Sequence, residues 1–313
     1  MKNNFGRNID NNIKPILSII IVNWNNKNLL EDCLKSICDI QNCENYEIIV
    51  VDNDSNDGSV DLIKKEFPKV KLIENDKNLG FAKANNQAIR ISKAKYIMLL
   101  NNDTIIIQND CFDKMIKFME ENIKVGVLGC KLLYADKTLQ SLGENFSSAW
   151  EIFKTQILFL KTWKRINIGN NISQKDNYYR KVNYVSGACL LSRKEVFKKA
   201  GLLKEDYFMY GEDAEFCFRT HKAGWEVGVL SNIEIIHIHS KSTEMNLSEM
   251  LYHSIINDLK NIKMIHNNEW QVSLAKIFHL IGILIRAVLA IFRKDKKATD
   301  YLKLFKKLLV NGE

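Results

Sequence analysis

Proline is almost missing from this chain, two in 313 residues, and glycine is sparse at fourteen. Such a composition excludes a collagen-like or low-complexity protein, and no internal repeat breaks the sequence into units. The seven cysteines, at 33, 38, 43, 111, 130, 189 and 217, include no CxxC pair. They read as reduced, mostly buried thiols rather than a disulfide framework or a zinc site, although Cys33, Cys38 and Cys43 are evenly spaced. No apolar stretch precedes residue 16, so no secretory signal is evident and the chain is expected to stay in the cytoplasm. No GxGxxG follows the first apolar run, which argues against a dinucleotide oxidoreductase. No apolar run reaches the roughly 20 residues that span a bilayer; residues 277–292 come nearest, and Arg286 interrupts them.

What is present is a core and an excess of positive charge. Hydrophobic residues make up 46% of the chain, enough for one large domain or a domain with an appendage. The net charge is +8, and the last residues concentrate it in Arg293, Lys294, Lys296, Lys297, Lys303, Lys306 and Lys307. An anionic surface is the expected partner near the C-terminus.

Over the first hundred residues strand and helix patterns alternate. The apolar run Ile16 to Val22 is followed by Leu29, Leu30, Cys33, Leu34 and Ile37 at helical spacing. Strands at 46–51, 70–74 and 95–100 then alternate with helices near 58–66 and 81–93. Such βα repeats predict an α/β fold with a mostly parallel, twisted sheet flanked by helices. A helix near 110–121, a strand over 125–133, a strand over 182–191, helices near 193–200 and 212–223, and a strand over 226–238 complete a catalytic domain spanning residues 1–245. Between them, residues 145–181 carry Trp150, Phe153, Phe159, Trp163, Tyr178 and Tyr179 without a clear period, as an insertion over the site would. Residues 246–313 form a C-terminal helical, basic amphipathic region. Lys276, His279, Arg286 and Arg293 share one side of a helix there, consistent with a helix lying in a membrane interface or packed on the catalytic domain.

Carboxylates stand where strands end. Asp52 follows Tyr46–Val51, Asp103 follows Tyr96–Leu100, and Glu212-Asp213 follow Asp206–Gly211. In open α/β sheets ligands bind outside the carboxyl ends of strands, so these acids are expected to share one crevice. Turn and N-cap preferences account for Asp57 and Ser59, and the helix dipole for some of the acids near 212. Asp52 is left to accept a base or sugar edge, Asp103 beside Asn101 and Asn102 suits Mg²⁺ or Mn²⁺, and a partly desolvated acid at 212–215 suits a general base. His237-Ile238-His239 ends a strand and suits one ligand and one surface histidine.

Taken in order, the motifs resemble the inverting, nucleotide-sugar-dependent glycosyltransferases of family 2, in the rhamnosyltransferase-like branch. They are Ile20-Ile21-Val22-Asn23-Trp24-Asn25, Val50-Val51-Asp52-Asn53-Asp54-Ser55, Asn78-Leu79-Gly80-Phe81-Ala82-Lys83-Ala84-Asn85-Asn86, Leu99-Leu100-Asn101-Asn102-Asp103-Thr104, Val185-Ser186-Gly187-Ala188 and Phe208-Met209-Tyr210-Gly211-Glu212-Asp213 with Arg219. The resemblance covers residues 16–243 and implies the GT-A fold. It implies Asp213 as general base, and Asp103 with His237 as metal ligands. It also implies nucleotide-sugar contacts from Asn23, Asp52, Asp54, Lys83, Asn86, Asn102, Gly187 and Glu212, with Asp52 on the imide N–H of uracil or thymine. Asn101 replaces the first acid of a DxD motif, leaving fewer anionic ligands for the cation. Ser240 and Lys204 are further departures, standing where glycine and aspartate are usual.

The implied activity is a divalent-cation-dependent hexosyltransferase moving rhamnose or another hexose from a dTDP- or UDP-sugar to a saccharide or lipid-linked acceptor in cell-surface polysaccharide synthesis. Its expected place is the inner face of the cell membrane, peripherally, with C-terminal helices on an anionic surface. A non-catalytic sugar-nucleotide-binding relative would lack the base, whereas Asp52, Asp103 and Asp213 are all here. A nucleic-acid partner is not expected, because the basic residues follow apolar helix-forming sequence rather than stacking aromatics.

Overall fold

The computed structural model describes residues 15–40, 42–158, 178–238 and 246–310. Its first part is a βα alternation: β1 (Leu17–Asn23), α1 (Lys27–Cys38), β2 (Tyr46–Asp52), α2 (Ser59–Glu66), β3 (Lys71–Glu74), α3 (Phe81–Ile91) and β4 (Tyr96–Asn101). There follow β5 (Thr104–Ile106), α4 (Cys111–Glu121), β6 (Val125–Leu133), β7 (Leu139–Ser141), α5 (Ala149–Gln156), β8 (Tyr179–Lys181), β9 (Cys189–Arg193), α6 (Lys194–Ala200), α7 (Glu212–Lys222) and β10 (Glu226–His237). The chain ends in α8 (Leu247–His266), α9 (Glu269–Phe292) and α10 (Lys297–Val310).

One sheet runs β3-β2-β1-β4-β9-β6-β10-β5, with β7 beside β6 and β8 beside β10. It is parallel from β3 to β4, as the βα repeats imply. Beyond β4 it is mixed, because β9 runs antiparallel to both neighbours while β6 and β10 pair in parallel. Alternate residues of β1 serve opposite faces. Leu17, Ile19 and Ile21 pack with Leu30, Leu34 and Phe112 from α1 and α4, while Ile20 packs with Ala82, Ala88 and Phe216 from α3 and α7. A strand covered on both faces has no solvent side to mark, hence its unbroken apolar run.

Two segments depart from expectation. The apolar stretch 182–191 does not form one strand; β9 begins at Cys189, and residues 182–188 cross above the sheet. There Glu144 N–H donates to Tyr184 O (2.9 Å) and Val182 N–H to Val227 O (3.0 Å), so the backbone is satisfied outside a ladder. Of the aromatic stretch 145–181, residues 149–156 are helical, and Phe153 packs on Phe278 of α9 with ring centroids 5.1 Å apart. Phe159 and Trp163 lie outside the described residues, as do His239 and Ser240.

The tail packs on the catalytic part, but with its polar side inward. On α9, His279 is buried 3.9 Å from Asp258, and Arg286 Nη1 donates to Gln156 Oε1 (2.7 Å). Trp270, Ile277, Ile281, Leu284, Val288 and Ile291 are exposed instead, a stripe at helical spacing along the opposite side. The reason is local. Small residues Ala275, Gly282, Ala287 and Ala290 let α9 approach its neighbours on the side that also carries His279 and Arg286. By length and composition α9 could cross a membrane.

Candidate active site

A cavity of about 540 Å³ opens at the carboxyl ends of the central strands, and Asn102, Asp103, Gly187, Glu212, Asp213 and His237 all line it. Its size is that of a small-molecule site. Asp103 reaches it from the tight turn between β4 and β5, and His237 from the last position of β10. These two elements are locked together: Thr104 pairs with His237 in the antiparallel ladder, and Ile238 N–H donates to Asp103 O (2.9 Å).

His237 Nε2 lies 3.1 Å from Asp103 Oδ1 and 3.2 Å from Asn101 Nδ2. On its other side Nδ1 is 2.8 Å from Gln140 Oε1. Gln140 Oε1 is placed to accept from Nδ1–H, and Asn101 Nδ2 to donate to Nε2, an assignment that turns the Nε2 side of the ring toward Asp103. An imidazole lone pair beside a carboxylate is a fitting pair of donors for a divalent cation. Among the described residues no group of three His, Cys, Asp or Glu gathers as a metal cage. The lining likewise includes no lysine or arginine. The described residues therefore offer two ligands and little positive charge, and the oxygens of a diphosphate would suit the remaining ligand positions of such a cation.

Asp213 opens α7. Its Oδ2 accepts from Gly187 N–H (3.0 Å) and its Oδ1 from Ala214 N–H (2.7 Å), which fixes the carboxylate against the crossing segment 182–188. Burial raises its pKa above the usual aspartate value, against the pull of those N–H groups. Glu212 is only 5% exposed, and its Oε2 has no hydrogen-bond partner. Burial, and then the charge of Asp213, push the Glu212 carboxyl up to about 8. Two adjacent acids cannot both ionise cheaply, and Asp213, whose charge is stabilised by two backbone N–H groups that Glu212 Oε2 lacks, is the better placed of the two to act as the acceptor. The third acid of this turn, Glu215, is fully buried and bound at both oxygens by Arg219, at 2.7 and 2.6 Å; Arg219 also donates to the carbonyls of Ala200 and Leu202. That pair holds the loop before α7.

The loop entering α7 is strained and braced. Tyr210 and Gly211 both take positive φ, 65° and 88°. Asn257 Nδ2 donates to the carbonyls of Met209 and Tyr210 (both 2.9 Å), and Asn261 Nδ2 to that of Gly211 (3.0 Å). Packed directly on this loop, Gly80 also has positive φ, and a Cβ there would lie 2.5 Å from Phe208 O. Phe81 N–H donates to that same carbonyl (2.8 Å), so this glycine lets α3 close on the loop.

Other expected residues stand elsewhere. Asp52 is 1% exposed and does not line the cavity; Oδ2 accepts from Asn23 Nδ2 (2.9 Å) and Oδ1 from Ser55 N–H (2.8 Å). Asn23 is buried too, and its Oδ1 accepts from Asn102 Nδ2 (2.8 Å). Both form a layer behind the wall, on which Asn53 and Asn78 stand instead. Asp54 is exposed in a left-handed turn, and Lys83 is exposed on α3. Asn86 is spent on the 203–205 loop, donating to Leu203 O (2.8 Å) and Glu205 Oε1 (3.0 Å) and accepting from Leu203 N–H (3.0 Å). Those three are not brought to the cavity. Sequence reasoning missed the opposite wall: Glu144, Phe146 and Tyr184, with Ser254, Asp258, Asn261 and Ile265 from α8. The last four recur at helical spacing, three of them with polar groups toward the cavity, and that spacing is the available signal.

Glu212→Gln tests the proton sharing. A carboxyl whose folded pKa exceeds its unfolded one holds its proton more tightly in the native state, so wild-type stability falls as pH rises from about 4.5 to about 8. The variant should lose that slope and melt roughly 2–5 °C above wild type at pH 8.5. Thermal unfolding across pH 5 to 9 is the measurement; parallel curves would show that Glu212 is ionised throughout.

Residues 18–201 match the family model "Glycosyl transferase family 2". The chain is 22% identical over 291 residues to a low-salt glycan biosynthesis hexosyltransferase of Haloferax volcanii, covering 91% of this chain and 87% of that protein. It is 26% identical over 212 residues to an N-acetylglucosaminyl-diphospho-decaprenol L-rhamnosyltransferase of Mycobacterium tuberculosis, covering 63% and 67%. It spans only 25% of an uncharacterised protein of Sinorhizobium fredii to which it is 25% identical. Its fold is similar to a mannosyltransferase of Pyrobaculum calidifontis solved with GDP-Man and Mn²⁺, with TM-score 0.57 and 13% identity over 95% of this chain and 86% of that one. It is also similar to S. aureus TarS solved with UDP-GlcNAc, with TM-score 0.55 and 15% identity over 87% and 72%. The fold is that of the GT-A glycosyltransferases. With its cavity at the strand ends and a matched segment covering more than half its length, the chain belongs to glycosyl transferase family 2.

Proposed function

We propose that this protein is an inverting glycosyltransferase that moves a hexose, with rhamnose the leading candidate, from a dTDP- or UDP-sugar to a saccharide or lipid-linked acceptor in cell-surface polysaccharide synthesis. The observation that carries the reading is the placement of Asp213 and the Asp103–His237 pair on one cavity. Asp213, fixed by two backbone N–H groups and raised by burial, takes the proton of the acceptor hydroxyl as that oxygen attacks the anomeric carbon. One displacement inverts the centre, and no second carboxylate is needed as nucleophile. Asp103 and His237 would hold a Mg²⁺ or Mn²⁺ ion, which when bound offsets charge on the leaving diphosphate. Asn53, Asn78 and Asn102 offer neutral hydrogen-bonding groups to the nucleotide.

A thermal-shift panel of UDP-, dTDP- and GDP-sugars with each cation tests this. A UDP- or dTDP-sugar should raise the melting temperature by mass action, and only with the cation present. Asp103→Ala should lose the cation-dependent part of the shift. Equal shifts in both proteins, or none with any nucleotide sugar, would count against the site.

The proposed location is the inner face of the cell membrane, held peripherally. Supporting it, the exposed stripe on α9 leads directly into Arg293, Lys294, Lys296 and Lys297, all exposed, which suit an anionic headgroup layer over an apolar one. Replacing Ile281 and Leu284 with Glu should release the protein from phosphatidylglycerol vesicles in a sedimentation assay without lowering its melting temperature. Undiminished sedimentation would remove the membrane from the proposal.

A further inference from the structure

Gln140 lines the cavity and has no part in the chemistry described above, yet it meets His237 twice. Its Oε1 lies 2.8 Å from the ring Nδ1, and its Nε2 donates to the main-chain carbonyl of the same residue at a longer 3.4 Å. One side-chain amide thus touches both the imidazole and the backbone that carries it. The His237 side chain is 12% exposed, so water competes little for these bonds.

A local irregularity of the sheet brings Gln140 there. β7 pairs with β6 through Leu139 opposite Leu133 and Ser141 opposite Leu132. Two steps along β7 answer one step along β6, which makes Gln140 the extra residue of a β-bulge. Bulges re-aim a side chain and are common beside active sites. β6 stands between β7 and β10 in the sheet, so the amide reaches across a strand to its partner. The turn behind it is pinned: Tyr134 N–H donates to Thr138 O (2.9 Å), and Asp136 Oδ1 accepts from the N–H and the hydroxyl of Thr138 (2.9 and 2.6 Å).

A neutral imidazole carries its proton on one nitrogen and offers a lone pair on the other. Which of the two it offers is set by the hydrogen bond made on its far side. An amide oxygen at Nδ1 holds the proton there, and Asn101 Nδ2, 3.2 Å from Nε2, agrees with a bare Nε2. A proton on Nε2 instead would stand between the ring and any cation beside Asp103. We infer that Gln140 is a positioning residue for the ion site: it keeps the His237 proton on Nδ1 and the ring turned so that Nε2, with Asp103, is presented to a divalent cation. The inference rests on the reading of Asp103 and His237 as ligands of that ion.

The test uses the full chain. Long-range ¹H–¹⁵N spectra of the imidazoles in ion-free protein, with His237→Ala identifying the signals of His237, should show Nδ1 protonated and Nε2 bare. In Gln140→Leu, which keeps the bulk and removes both contacts, they should shift toward the Nε2–H tautomer. Mn²⁺ titrated in the presence of UDP, and followed by loss of the free-ion EPR signal, should bind Gln140→Leu roughly 10–100-fold more weakly than wild type, the usual cost of losing such a partner. Gln140→Glu still accepts from Nδ1–H and should recover most of the affinity. In a His237→Ala background Gln140→Leu should change the affinity by no more than about twofold, because the residue acts through the ring. Should Gln140→Leu fail to fold, Gln140→Asn, one methylene short of both contacts, takes its place in each comparison. A wild-type proton on Nε2, an unaltered Mn²⁺ affinity in Gln140→Leu, or an equal loss with and without His237 would overturn the inference. Failure of wild type to bind Mn²⁺ in the presence of UDP would instead overturn the ion-site reading, while the ion-free spectra still decide whether Gln140 holds the ring.

Discussion

Asp213→Asn should lower sugar transfer by roughly 10²–10⁴-fold, the usual contribution of a positioned base. The substitution keeps the shape of the side chain but removes its capacity to accept a proton. It also turns an amide NH₂ toward either Gly187 N–H or Ala214 N–H, both of which now donate to the carboxylate, so a modest loss of melting temperature should accompany it. Calorimetric affinity for UDP with Mg²⁺ should hold, since Asp103 and His237 are untouched. Near wild-type turnover with an acceptor that the enzyme demonstrably uses would show that the proton leaves by another route.

The second large effect is expected from the far end of the chain. Asn257 and Asn261 are 3% and 4% exposed, and between them they satisfy the carbonyls of Met209, Tyr210 and Gly211; Asn261 Oδ1 also accepts from Tyr207 O–H (2.8 Å). Replacing both with Ala removes three part-buried hydrogen bonds to these carbonyls and leaves the buried Tyr207 hydroxyl without its acceptor, at about 1 kcal/mol each and more for the last. The melting temperature should drop by roughly 10 °C. Transfer should fall further than the stability loss explains, because the loop they brace delivers Asp213. Unfolding scans and turnover at a temperature where the variant is folded separate the two. An unchanged rate there would mean that the loop holds its shape unaided.

This dependence also shows what the sequence could disclose. The βα alternation from β1 to α4 is legible because strands buried on both faces and amphipathic helices have distinct periods. Strands of three residues, β5, β7 and β8, are too short to show any period. The stretch 182–191 reads as a strand because Val182, Tyr184, Val185, Leu190 and Leu191 are apolar or aromatic, but Tyr184 and Gly187 are there to meet the cavity and Asp213. The polar side of the tail helix is evident from the spacing of Lys276, His279, Arg286 and Arg293; that His279 and Arg286 turn inward while Arg293, just past the end of α9, is exposed depends on α5 and α8, far away in sequence. At the site the acids that end or follow strands were found, since position and chemistry agree there. Whether a strand-end acid reaches the wall is a tertiary matter: Asp103 does, while Asp52 is turned inward by Asn23 and Ser55. Glu144, Tyr184 and Asp258 become neighbours only through the crossing segment and the helix from the tail. Nothing local marks them.

The pairing of Thr104 with His237 carries a consequence of its own. Side chains on a strand alternate between faces, so lengthening β10 by one residue between Ile233 and His237 would keep the ladder yet turn the imidazole to the opposite face of the sheet. The two halves of the candidate ion site are thus set by counting along two edges, which the Ile238 N–H to Asp103 O bond holds in step. Homologous chains should tolerate substitution along this ribbon far more readily than insertion or deletion.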